Sequence, residues 1–227
     1  MNTKSLLTRI GVPVLSLGLL GGLGATLATS ASAATLASRS DVSAYFYNPS
    51  GNALGGPQAM GPLGAASVQL SPSQYLAKVT EPMHNANLVG KTVTITGHLD
   101  QSGIQYKGFD PSIGYGPHAR VYFVGAGGTS DQSPQGYEGQ SWWANSGSPN
   151  AILDLTQSGD FTLTVTVSPD PAAWSDWNGK QASDNAALFN QAASHVRELG
   201  LSFGGGYFFE NGVEGNGTLT NVSIQVG

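Results

Sequence analysis

The side chains of this sequence best suited to chemistry are aromatic rings set among amides and carboxylates. Trp142 and Trp143 are closely followed by Asn145, Trp174-Ser-Asp-Trp-Asn-Gly179 gathers Asp176, Trp177 and Asn178 in one polar segment, and Tyr207 follows three glycines. The face of an indole or phenol ring is electron-rich. The axial C–H groups of a pyranose are apolar and slightly positive, so such rings stack on sugars while amides and carboxylates orient the hydroxyls. On that chemistry the expected ligand-binding residues are Trp142, Trp143, Asn145, Asp176, Trp177, Asn178 and Tyr207. Trp174 is expected instead to fold back and plug the end of a core. For Trp143 and Trp177 packing and ligand contact both fit the sequence.

Other chemistries find less support. His84, His98, His118 and His195 show neither His-x-His nor His-x-x-x-His spacing. His98 and Asp100 share one face of an alternating segment and are expected to form a hydrogen-bonded surface pair, while His195, beside Arg197 and Glu198, is expected in solvent. Glycoside hydrolysis needs two carboxylates held roughly 5–9 Å apart in a cleft. With fourteen acidic residues some pair must be close in space, so the count does not discriminate. A phosphate loop and a His-Glu-x-x-His motif are absent from the sequence. The chain has no cysteine, which removes thiol catalysis and cysteine-ligated metals. No catalytic residue, metal ligand or cofactor is therefore assigned.

The elements that must position these residues are mostly strands. Val42, Ala44 and Phe46 alternate as a first strand, followed by a turn at Asn48-Pro-Ser-Gly-Asn52 and a glycine-rich loop. Val93, Ile95, Gly97 and Leu99 alternate with polar residues, as do Phe161, Leu163, Val165 and Val167; Val121 to Val124 is a β-branched and aromatic run, and Ile152, Leu153 and Leu155 suggest a short strand. Period two places one face in a core and one in water, as in antiparallel sheets. One amphipathic helix is expected over residues 184–199, capped by Ser183 or Asp184, with Leu188, Phe189, Ala192, Ala193, Val196 and Leu199 on one face and Gly200 at its C′ position. The predicted fold is all-β, an antiparallel β-sandwich of jelly-roll topology with that one helix.

Composition limits where such a domain works and what it meets. Lys4 and Arg9, the apolar run Ile10 to Leu27 and Ala31-Ser32-Ala33 form a secretory signal over residues 1–33, with cleavage expected near Ala34. Residues 34–66 read as an N-terminal strand and Gly/Pro-rich loop packing on a sandwich over residues 67–227. Without Lys4 and Arg9, seven basic residues face fourteen acidic ones, a net charge of −7. The cations are scattered singly, which excludes nucleic acid as an expected partner. Membrane insertion of the mature chain is not expected either. Only 10% of residues are charged and 40% are hydrophobic, which indicates a folded domain with a neutral polar surface.

The C-terminal third resembles the carbohydrate-binding-module-like jelly rolls, which belong among the galactose-binding-domain-like sandwiches. The residues that carry this are Asn87-Leu-Val-Gly-Lys-Thr-Val-Thr-Ile95, Trp174-Ser-Asp-Trp-Asn-Gly179, Gly200-Leu-Ser-Phe-Gly-Gly-Gly-Tyr-Phe-Phe209 and Gly217 to Val226, about a third of the mature chain. The resemblance implies a secreted, non-catalytic protein that binds a neutral glycan. Relatives of that fold often carry an aspartate for a structural calcium in the last strand, where this chain has Thr220-Asn221-Val222-Ser223, so calcium is not expected there. Two other readings stand beside it: a structural or adhesive surface protein with a protein partner, and a small secreted glycoside hydrolase.

Overall fold

Strict alternation of apolar and polar residues builds the longest strands of this molecule. The computed structural model describes residues 42–47, 58–60, 68–70, 75–106, 116–125, 141–170, 172–176, 179–204 and 212–227. The expected signal segment and expected cleavage site lie outside the described residues, as do Trp177, Asn178 and Tyr207. In β5 (Thr92–Tyr106) Val93, Ile95 and Leu99 are buried, and in β9 (Gly159–Thr166) Phe161, Leu163 and Val165 are buried. The intervening threonines face outward. Gly97 breaks the apolar series because the Phe161 ring lies across it: a Cβ there would sit 2.5 Å from that ring.

The remaining strands are β1 (Ser43–Tyr47), β2 (Gln58–Ala59), β3 (Val68–Leu70), β4 (Tyr75–Ala86), β6 (His118–Gly125), β7 (Ser141–Ala144), β8 (Ile152–Asp154), β10 (Trp174–Ser175), β11 (Val196–Gly204) and β12 (Val213–Val226). Every described pairing is antiparallel. They form two arrays. The first runs β1-β4-β11-β6-β7, with β2 on β1, β8 on β6 and β10 on β7; the second runs β3-β12-β5-β9. A single bridge, Val213 with Leu76, joins them into one curled sheet. Leu76, Val79, Val121, Phe123 and Leu201 from the first array share one hydrophobic cluster with Ile95, Leu99, Leu163, Leu219 and Ile224 from the second. The result is the expected all-β sandwich with one helix.

That helix is shorter than its pattern indicated. Residues 182–185 form a 3-10 turn and α1 spans Ala186–Ala193, with the Asn185 side chain accepting from the Leu188 N–H at 3.3 Å. Phe189, Ala192 and Ala193 are buried. Residues 196–199 are not helical but begin β11, which pairs with β4 on one side and β6 on the other. A bulge between Val196 and Glu198 shifts the register, so the buried residues Val196 and Leu199 are three apart, a spacing that imitates a helical turn. Gly200 is accordingly no helix C-cap. It lies in mid-strand, where a Cβ would meet the Val79 carbonyl oxygen at 2.0 Å.

Candidate functional site

Consecutive residues of a strand point to opposite faces, and this separates the two central tryptophans. Trp142, opposite Phe123, turns inward; it is 1% exposed and meets the Phe189 ring edge-on at 5.1 Å. Its burial leaves no ring face for a ligand, so its expected binding role is replaced by a core role. Trp143, opposite Tyr122 on one side and Ser175 on the other, turns outward. Its ring stacks on Tyr122 with centroids 6.4 Å apart, and it is 9% exposed. Its indole N–H is buried and has no acceptor among the described residues. Trp174 plugs the core as expected, fully buried against Phe123 with its N–H donating to the Thr166 carbonyl at 2.9 Å.

The polar members of the expected set hold loops in place. Asn145 donates from Nδ2 to Gln181 Oε1 at 2.9 Å and accepts from the Gly147 N–H at 2.9 Å, while its own N–H donates to the Ala173 carbonyl. It ties three segments together. Asp176 is buried and closes a turn: its Oδ1 accepts from the Lys180 N–H at 2.9 Å and its carbonyl accepts from the Gly179 N–H. These contacts give both residues a positioning role.

A row of side chains crosses the outer face of the first array from Tyr45 on β1 to Trp143 on β7. Lys78 on β4 stands 4.6 Å from the centre of the Tyr45 ring on β1 and donates to Glu198 Oε1 on β11 at 2.6 Å. The same oxygen accepts from the Tyr122 hydroxyl on β6. Thr80 donates to the Leu199 carbonyl at 3.1 Å. The ionisation of Tyr122 is pushed well above the ordinary phenol value of 10.0, first by burial and then by the negative charge and hydrogen bond of Glu198. Tyr122 therefore stays a neutral donor. Loop-centred reasoning passed over Tyr45, Lys78, Tyr122 and Glu198. The available signal was phase: Tyr45 and Tyr122 alternate with the core residues Ala44, Phe46, Val121 and Phe123.

The outer face of the second array differs. Thr92, Thr94 and Thr96 of β5 stand opposite Thr166, Thr164 and Thr162 of β9. Beyond them His98 meets Asp160 Oδ1 at 2.5 Å from Nδ1 and Asp100 Oδ1 at 3.3 Å from Nε2. The surface pair expected from sequence is thus a trio. Hydrogen bonds from Asp160 and then Asp100 raise the His98 pKa above its ordinary 6.5. Among the described residues no group of three or more His, Cys, Asp or Glu side chains could hold a metal ion. Gly200-Leu-Ser-Phe-Gly204 has the lettering of a nucleophile elbow. Ser202 nevertheless lies inside β11, paired with Lys78 and Arg120, and not on the sharp strand-to-helix turn that exposes a nucleophile.

No protein-family model, curated protein or solved structure matches the chain.

Proposed function

We propose that this chain is a secreted, non-catalytic carbohydrate-binding protein that meets a neutral glycan on the outer face of the first array. One observation carries the reading: Tyr45, Tyr122 and Trp143 point away from the core, with Lys78 and Glu198 among them. Tyr122 and Trp143 are buried although they lie outside the shared core cluster, and Tyr45 is half-buried, so this grouping is a second aromatic assembly on the outer side of the sheet. Ring edges and faces suit sugar C–H groups. Trp143 shares one face with Tyr122, so the sugar would meet the half-buried Tyr45 ring and the part of Trp143 that reaches solvent, with the partly exposed Glu198 carboxylate as an acceptor nearby. The resemblance to carbohydrate-binding-module-like jelly rolls supports the same reading, and removal of residues 1–33 would release the protein outside the cytoplasmic membrane.

Titration of the mature chain with soluble neutral polysaccharides, followed by tryptophan fluorescence, tests this. Saturable binding is expected, and Trp143→Phe, which removes only the N–H and part of the ring, should weaken it with little change in Tm. Absence of binding to every neutral polysaccharide, or a Trp143→Phe variant that binds like the wild type, would discard the aromatic face in favour of a protein-binding surface.

A further inference from the structure

A cleft of about 300 Å³ opens between residues 147–150 and strand β9, on the opposite array from the aromatic face. Ser148 and Asn150 form one wall, Thr164 and Thr166 the other, and Ser168 and Asp170 the end. Among the described residues, the one bond held by these six side chains is from the Ala172 N–H to Asp170 Oδ1, at 2.8 Å. The others are available to a ligand.

Main-chain groups add to this wall. The strand order ends at β9, so among the described residues one edge of β9 has no neighbouring strand. Val167 bonds through both its N–H and its carbonyl to Lys91 and Gly90 on the β5 side. Alternate residues face the other way, which turns the main chain of Thr164 and Thr166 toward the cleft. The Thr166 carbonyl already accepts from the Trp174 indole, fixing this wall to the core.

We propose that this cleft binds one neutral sugar unit, or a polyol of that size, through hydrogen bonds without ring stacking. The site is separate from the aromatic face and does not rest on it. Its volume lies at the small end of the roughly 300–1,000 Å³ range of ligand pockets, which suits a single ring. The lining contains no cation to receive an anionic ligand. Its one carboxylate falls far short of the six to eight oxygens, several of them charged, that calcium requires. Apolar ligands would leave the hydroxyls, amide and carboxylate desolvated without partners. An added peptide strand would find the Thr166 carbonyl already occupied, breaking the ladder of main-chain bonds.

NMR titration of the mature chain with methyl glycosides of common neutral hexoses, with glycerol and calcium chloride as separate arms, decides the matter. Expected are saturable amide shifts confined to residues 147–150 and 164–173. Asn150→Ala and Asp170→Asn, the latter keeping an acceptor for the Ala172 N–H, should each weaken binding roughly three- to tenfold. Trp143→Phe should leave these shifts unchanged, so failure of either site is read apart from the other. The proposal is overturned by shifts absent with every glycoside, by shifts that appear with calcium alone and vanish with chelator, or by both variants binding like the wild type.

Discussion

The two outer faces of the sandwich obey the same alternation and carry opposite chemistry. On the second array the outward positions are mostly threonines, short, uncharged and exposed, which is what a pleated surface needs in order to form and stay wet. On the first, outward positions hold Tyr45, Lys78, Tyr122, Trp143 and Glu198, largely withdrawn from water and bonded to one another. Cross-strand threonine pairs account for the stability of the first kind of face. The second kind orders long side chains at an entropic cost that folding alone does not demand. The difference sets the first array apart as the face of the proposed aromatic contact, while the second contributes threonine hydroxyls to the cleft at its edge.

The largest effect that tests this contrast is steric. Gly200→Ala drives a methyl into the Val79 carbonyl and should cost on the order of 3–5 kcal/mol or abolish soluble protein, whereas Thr94→Ala on the other face should stay within about 0.5 kcal/mol in urea unfolding. Equal tolerance would erase the distinction. Next comes the tryptophan pair: Trp142→Ala should lose about 3–5 kcal/mol through a core cavity, and Trp143→Phe less than about 1 kcal/mol because it also removes an unsatisfied donor.

A smaller effect is alkaline. The folded pKa of Tyr122 is raised above 10.0, so its contribution is complete below that value and is lost as pH rises toward the folded pKa. Wild-type Tm should therefore fall more steeply than that of Tyr122→Phe between about pH 9 and pH 11. The smallest is on the threonine face. His98 is raised above 6.5, so its contribution is present below 6.5 and fades as pH climbs through the folded value; His98→Gln should flatten a shallow Tm slope there. A slope unchanged by that substitution would remove the trio from the stability of the second array.

Much of the architecture could be read from period-two alternation, because β5, β9 and β1 each keep a regular apolar phase against one core. Alternation is local. It could not reveal the bulge at Val196 and Glu198, which depends on β4 and β6 and gave residues 196–199 a helical look. The site was less legible for the same reason. Trp142 and Trp143 read as loop residues because glycine and serine surround them, yet they pair with Phe123 and Tyr122, and that partnership alone decides which ring faces out. The Lys78 and Glu198 contact joins residues 120 positions apart and leaves no mark in either neighbourhood.

Strand β12 lies between β3 and β5, and it supplies Leu219, Val222, Ile224 and Val226 to the shared cluster. Its partners on β5 were synthesised more than a hundred residues earlier, as the pairing of Val226 with Val93 shows. The second array cannot close until residue 226 has been made. The β5 strand thus waits for residues 213–226, and slow assembly from distant partners is the kinetic signature of that arrangement. Under the proposed secretion, late closure would be an advantage in timing, since the second array stays open to threading through an export channel until residue 226 is made.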